Sequence, residues 1–129
     1  MSTQRYPPDH PLEWINHARS DLSLAQAEID DVLPALLCFH AQQAVEKAIK
    51  AVLISAGSAF PYTHDLGHLA SLVIGQGIAF PNELRQVTTL TQYAIITRYP
   101  SAGDTITEAD KQLAIQLAEQ TVRWAESVI

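Results

Sequence analysis

The apolar residues of this chain stand at helical spacing, and prolines and glycines interrupt the pattern at intervals. Apolar side chains recur every three or four residues in most segments, as they do along one face of an α-helix. No segment alternates apolar and polar residues for long enough to form a convincing strand, and no longer sequence period repeats. The pattern predicts an all-α fold, an up-and-down antiparallel helical bundle of four long helices plus one short helix.

Prolines and glycines predict the ends of the first two helices. The first helix begins at Pro11, a favourable first-turn residue, and its pattern ends at Asp30-Asp31. Pro34 begins the second helix in the same way, and Gly57 ends it.

Capping residues predict the remaining helices. Thr63 is the expected N-cap of the short third helix, and the fourth helix, which begins at Pro81, ends near Arg98. Thr107 and Asp110 resemble a capping box at the start of the last helix. The apolar face predicted for the fourth helix consists of Leu84, Val87, Leu90, Thr91, Ala94 and Ile95. That of the last helix consists of Leu113, Ala114, Leu117, Thr121, Trp124, Ala125 and Val128. Periodicity does not decide whether Trp124 and Val128 belong to the core or to an interface.

Size and composition indicate one folded domain. The chain has 129 residues, of which 47% are hydrophobic and 17% charged, as is usual for a globular protein. We therefore expect a single domain over residues 1–129, with residues 1–10 as a flexible tail. The lone cysteine, Cys38, lies in an apolar run and is expected to be a buried thiol in a reducing compartment. The absence of a signal-peptide core or a long apolar span predicts a cytoplasmic protein without membrane contact.

The charge of the chain restricts how it could bind nucleic acid. Eight basic residues against 14 acidic ones give a formal net charge of −6, so no cationic field covers the whole domain. A local basic patch would have to be built mainly from Lys47, Lys50 and Arg98.

The densest polar grouping lies on the second helix. Its stripe at helical spacing consists of His40, Gln43, Lys47 and Lys50, with Gln42 and Glu46 on the next row. One interpretation is a solvated face with a Glu46–Lys50 pair worth about 0.3–0.5 kcal/mol. The other is that two adjacent glutamines between apolar positions place an amide at the core boundary, where it must find partners or bind a ligand.

Arg98 continues the inward stripe of the fourth helix and therefore requires an anionic partner. In a structural role it would bind its own helix's C-terminal carbonyls and pair with Asp21 or Glu46. In a functional role its planar guanidinium group would bind an anionic ligand or an RNA phosphate.

The other candidates for chemistry are two histidines at the predicted start of the third helix. His64 and His68 stand four residues apart and could share a metal, but the expected role is a histidine cap, and no metal site is predicted. The serines and Cys38 lack the surroundings of a catalytic nucleophile, and no glycine-rich phosphate loop is present.

Four blocks of this sequence resemble the HEPN domain family. They are the segment 39–51, the segment Thr63-His64-Asp65-Leu66, the segment Arg98-Tyr99-Pro100, and the first-helix residues Trp14, Ala18, Asp21-Leu22 and Ala25. The resemblance extends from about residue 12 to residue 128. It implies a helical bundle, commonly dimeric and often encoded beside a minimal nucleotidyltransferase, as a toxin–antitoxin pair or a nucleotide-binding partner subunit.

Other members of that family are metal-independent ribonucleases, in which a histidine follows an arginine by four to six residues. Here Tyr99-Pro100-Ser101-Ala102-Gly103-Asp104 follows Arg98, so the sixth position is aspartate and no histidine follows at all. Because aspartate is a poor general acid at neutral pH, no catalytic residue is assigned, and Arg98, His40 and His64 stay as candidates.

The leading hypothesis is a non-catalytic or weakly catalytic HEPN module that forms a homodimer and binds a nucleotide, RNA or a minimal nucleotidyltransferase. No cofactor is expected. The predicted ligand-binding residues are Arg98 and Lys47 at phosphate, with Tyr99, Gln43, His40, Lys50 and Glu46 around them. One alternative is a ribonuclease toxin that uses Arg98 with His40 or His64, and another is a helical interaction module whose polar groups are structural.

Overall fold

The architecture is a helical bundle, and no strand occurs in the residues that the computed structural model describes, 3–96 and 106–129. The α-helices are α1 (Pro11–Gln26), α2 (Pro34–Ser55), α3 (Leu66–Gly75), α4 (Tyr93–Ile96) and α5 (Glu108–Val128), and a 3-10 helix spans Asn82–Gln92. The predicted all-α bundle is confirmed. None of the helices in these ranges is long and apolar enough to cross a membrane.

The longest helix, α2, lies at the centre of the bundle. It packs against α1, α3, α4, α5 and the 3-10 helix. Small residues on several of its faces allow this close approach, since Ala41, Ala44, Ala48 and Ala51 are all fully buried. A polar side chain on α2 is therefore close to a neighbouring helix on almost every side.

The order of the contacts shows that α1 runs antiparallel to α5. Arg19 lies 2.5 Å from Glu126, and further along the contact Gln26 lies 3.4 Å from Glu119. The residue number therefore rises in α1 as it falls in α5, which is consistent with an antiparallel bundle.

The predicted ends of α2 and α5 are confirmed, whereas the first helix is shorter than expected. It ends at Gln26, because Ala27 already has extended backbone geometry, and Ile29 beyond it is 54% exposed. The α5 helix begins with the capping box, in which Thr107 and Asp110 each bond the other's backbone amide.

The predicted cap of α3 is wrong. The N-cap is Asp65, whose carboxylate accepts a hydrogen bond of 3.1 Å from the amide of His68, while the Thr63 hydroxyl accepts from the amide of Asp65. A carboxylate at this position is also favoured by the positive end of the helix dipole. His64, expected as a capping histidine, instead points to α2 and bonds Glu46.

The predicted long fourth α-helix is a 3-10 helix followed by the four-residue α4. In the 3-10 helix the hydroxyls of Thr88 and Thr89 donate hydrogen bonds to the carbonyl oxygens of Arg85 and Gln86, three residues earlier. Such side-chain bonds and the β-branched side chains disfavour a regular α-helix.

Two residues predicted to face the core are exposed. Ile95 is 56% exposed and Leu113 is 42% exposed, because the buried faces of their helices lie on Ala94 and on Ala114 and Leu117 instead. Of the two residues left open between core and interface, Trp124 is buried, while Val128 is 40% exposed at the end of α5.

Candidate functional site

Asp21 of α1 brings together two residues of the predicted stripe on α2. Its carboxylate lies 2.9 Å from Nδ1 of His40 and 2.5 Å from Nζ of Lys47. The Asp21 side chain is 11% exposed, whereas those of His40 and Lys47 are 32% and 26% exposed. A buried carboxylate thus orients two partly exposed groups at the α1–α2 seam, and it restricts their rotamers.

Glu46 is the centre of a second, buried network. It accepts hydrogen bonds of 3.0 Å from Nε2 of Gln42 and from Nζ of Lys50, and it lies 2.7 Å from Nδ1 of His64. Gln42 in turn accepts a bond from Gln43. The prediction that a glutamine amide lies in the core with partners is confirmed, and the solvated-face interpretation is wrong for Gln42, Glu46 and Lys50, which are all buried.

Three aromatic rings surround the ammonium group of Lys50. Its Nζ lies 6.0 Å from the ring centre of Trp14, 5.6 Å from that of Phe60 and 5.8 Å from that of Tyr62. These distances are within cation–π range and join α1, α2 and the loop before α3. Lys50 therefore does not contribute to the surface basic patch that the sequence predicted.

A third carboxylate, Glu13, holds the N-terminal arm, which we define as residues 3–10. It pairs with the guanidinium of Arg5 and accepts bonds of 3.1 Å from the amide of Tyr6 and from Nδ2 of Asn16. The hydrogen bonds from Arg5, and then those from Asn16 and Tyr6, lower the pKa of Glu13 to about 2. Glu13 is thus ionised at neutral pH and fixes the arm along α1.

Residues of the arm, α1 and α2 line a cleft of about 370 Å³ that is open to solvent, which we call the arm cleft. Its lining consists of Arg5, Tyr6, Pro8, Glu13, Trp14, His17 and Lys47. Lys47 is therefore common to the predicted stripe and to the cleft. The side chains of Arg5 and His17 are 71% and 56% exposed, so two further basic groups face the solvent here.

The remaining candidates from the sequence are Arg98 with Tyr99, the thiol of Cys38 and a possible metal site. Arg98 and Tyr99 lie outside the described residues, so their predicted roles stay predictions. Cys38 is fully buried, and burial raises the pKa of its thiol to about 11, which suppresses the reactive thiolate. Within residues 3–96 and 106–129, no group of three or more His, Cys, Asp or Glu side chains could hold a metal.

Sequence reasoning missed most of the arm cleft. Arg5, Tyr6 and His17 were not identified, because they depend on where the arm lies and not on a helical period. Asp21 was named as a partner for Arg98 and as part of the first-helix resemblance, but not as a partner of His40 or Lys47. The one available signal was the acidic residue Glu13 near the start of α1, eight positions after a basic residue.

Comparison with known proteins identifies the family. The HEPN domain matches residues 12–128. TT1696 from Thermus thermophilus has a similar structure, with a TM-score of 0.81 and 27% identity over 92% of this chain and 98% of that one. ST0689, an archaeal HEPN homologue, has a TM-score of 0.74 and 26% identity over 92% of this chain and 96% of that one. No curated protein sequence matches significantly. Because the domain match covers nearly the whole chain and the structural similarity agrees with it, this chain belongs to the HEPN domain family.

Proposed function

We propose that this chain is a non-catalytic or weakly catalytic HEPN module that binds a nucleotide and acts with a minimal nucleotidyltransferase, as one half of a toxin–antitoxin-like pair. The observation that supports nucleotide binding is the position of Lys47. This lysine extends from the polar stripe of α2 into the arm cleft, and its side chain is partly exposed. A partly exposed ammonium beside a cleft of ligand size suits a phosphate group.

The neighbouring residues support this assignment. Asp21 orients both Lys47 and His40, so these two donors are fixed before a ligand arrives. Gln43 is partly exposed on the same helix and donates a hydrogen bond to Gln42, but neither Gln43 nor His40 lines the arm cleft itself. Lys50 and Glu46 are buried, so in this proposal they support α2 and the loop before α3 instead of contacting the ligand directly.

The test is a thermal-shift titration of the purified protein with ATP, GTP and AMP. A ligand present at about 100 times its Kd stabilises the native state by about 2.7 kcal/mol, so the unfolding midpoint should rise. We expect Lys47→Ala to abolish that rise, and Arg98→Ala to reduce it if Arg98 makes the second phosphate contact.

Lys111→Ala is the matched control. Lys111 lies on α5, is 21% exposed and pairs with Glu108 at 3.3 Å, so it resembles Lys47 in exposure and pairing but does not line the cleft. Its removal should leave the ligand-induced shift unchanged. If no nucleotide raises the midpoint of the wild-type protein, the nucleotide-binding proposal is wrong.

The partner part of the proposal is based on the family resemblance and needs its own experiment. We expect the chain to form a homodimer, and to form a complex when it is co-expressed with a nucleotidyltransferase from the adjoining reading frame. Light scattering after size exclusion would measure both masses. A monomer that does not change on co-expression would contradict this part and leave the nucleotide part untouched.

One observation favours the alternative of a ribonuclease. The His40–Asp21 pair, at 2.9 Å, is the arrangement by which a carboxylate orients a histidine for general base catalysis. If this alternative holds, the protein cleaves RNA without added metal, and His40→Ala and Arg98→Ala each abolish cleavage. Intact RNA after incubation with the wild-type protein would exclude it.

A further inference from the structure

We infer that the ligand of the arm cleft is a single nucleotide whose base stacks on the aromatic wall formed by Tyr6 and Trp14, while Lys47, His17 and Arg5 face its phosphates. This inference rests on the proposed function and adds the group that the cleft recognises. It also gives the N-terminal arm a role, because the arm supplies Tyr6 and Arg5.

The aromatic wall is held in place before any ligand binds. The indole Nε1 of Trp14 donates a 3.0 Å hydrogen bond to the carbonyl oxygen of Pro8, and the rings of Trp14 and Phe60 pack in a T-shaped arrangement with their centres 6.3 Å apart. The ring of Tyr6 stacks on His10 at 4.7 Å. Fixed aromatic rings lose little conformational entropy when a base stacks on them, so they are efficient binding groups.

The charges of the cleft suit an anionic ligand in spite of the acidic chain. Two of the eight lysines and arginines, Arg5 and Lys47, line this one cleft together with His17. Glu13 contacts Nε and Nη2 of Arg5 and lies 3.5 Å from Nε2 of His17, while the Arg5 side chain is 71% exposed. A phosphate can therefore approach the solvent side of Arg5 without displacing Glu13.

The size of the cleft limits the ligand. Small-molecule sites typically have volumes of about 300–1,000 Å³, and the arm cleft, at about 370 Å³, is near the lower end of that range. A cleft of this size and composition suits one base with its phosphates. The ligand class is therefore a mononucleotide.

The experiment compares ATP with tripolyphosphate, which carries the phosphates without the base. The chain contains two tryptophans, Trp14 and Trp124, so Trp124→Phe leaves Trp14 as the only indole reporter. We expect ATP to quench Trp14 fluorescence and tripolyphosphate to bind without quenching. Because stacking contributes about 1–3 kcal/mol per base, ATP should bind about 5- to 150-fold more tightly than tripolyphosphate.

A second measurement uses Tyr6 in the presence of both tryptophans. In Tyr6→Ala the backbone amide that bonds Glu13 is retained, so the arm keeps that contact. We expect thermal shifts to show at least about 5-fold weaker ATP binding, unchanged tripolyphosphate binding, and recovery in Tyr6→Phe, which restores the ring.

The outcomes separate this inference from the proposed function. If ATP and tripolyphosphate bind equally, without quenching and without an effect of Tyr6→Ala, then a phosphate site exists but the stacking inference is wrong. If neither compound binds the wild-type protein, both the inference and the nucleotide-binding proposal are wrong.

Discussion

Replacement of Glu46 by alanine is the perturbation with the largest expected effect on stability. Glu46 accepts bonds from two buried side chains, Lys50 and Gln42, and pairs with the partly exposed His64. The Lys50 and Glu46 side chains are only 6% and 5% exposed, so water cannot readily replace the lost carboxylate. Removing one partner of a buried ion pair costs about 3–5 kcal/mol.

That loss is large relative to the total stability of a domain, which is about 5–15 kcal/mol. Glu46→Ala should therefore lower the free energy of unfolding in urea by about 3–5 kcal/mol and the thermal midpoint by about 10–20 °C. The unfolding must remain cooperative for these values to be comparable.

Two further variants test the reasoning. Glu119→Ala removes a carboxylate that is 45% exposed and pairs with Arg123, so it should cost at most about 1 kcal/mol. Glu46→Leu combined with Lys50→Met removes both charges and should be more stable than Glu46→Ala. A loss of less than about 1 kcal/mol in Glu46→Ala would refute the view that Glu46 balances a buried charge.

Three other predictions concern groups outside that network. The folded-state pKa of Glu13, about 2, lies below its ordinary value of 4.5, so the stabilisation by Glu13 is present above pH 4.5 and is lost as the pH falls towards 2. The free energy of unfolding in urea should therefore lose this part of its acid dependence in Glu13→Gln. Identical pH profiles for the variant and the wild-type protein would contradict this prediction. The pKa of Cys38 is raised from 9.0 to about 11, which lowers the fraction of thiolate at neutral pH about 100-fold. A thiol-alkylating reagent should therefore react slowly with Cys38 until urea unfolds the chain. Rapid reaction of the native protein would show that the thiol is accessible. Thr107→Ala removes a capping-box hydroxyl and should lower the free energy of unfolding by about 1 kcal/mol; an unchanged urea midpoint would show that this cap does not contribute.

The long helices were predictable because their signals are local. Pro34 and the stop at Gly57 define α2 within two residues, and Thr107 with Asp110 defines the start of α5. The fourth helix was mispredicted because its apolar spacing resembles that of an α-helix, and this spacing does not distinguish an α-helix from a 3-10 helix of the same length. Local residue preferences therefore predict where a helix begins and ends better than they predict whether it is an α-helix or a 3-10 helix.

The candidate site was only partly predictable, because burial depends on distant segments. The spacing of Glu46 and Lys50 predicted their pairing, and the structure has that pair. The spacing did not predict that Trp14 and Phe60 would cover Lys50, since these rings come from α1 and from the loop before α3. A spacing of four residues on a helix therefore predicts that two opposite charges pair, but it does not predict whether the ion pair is exposed or buried.

Three carboxylates on α1 and α2 explain how an acidic chain can still present basic groups in a defined geometry. Glu13, Asp21 and Glu46 each hold a cation, namely Arg5, Lys47 and Lys50 in that order. Only the first two of these cations reach the arm cleft, because Lys50 is buried. A phosphate in the cleft must share Lys47 with Asp21 and Arg5 with Glu13, so its net electrostatic gain is smaller than at an unpaired basic patch. If the cleft binds a nucleotide, part of the affinity must therefore come from the base, which is the contribution that the comparison of ATP with tripolyphosphate measures.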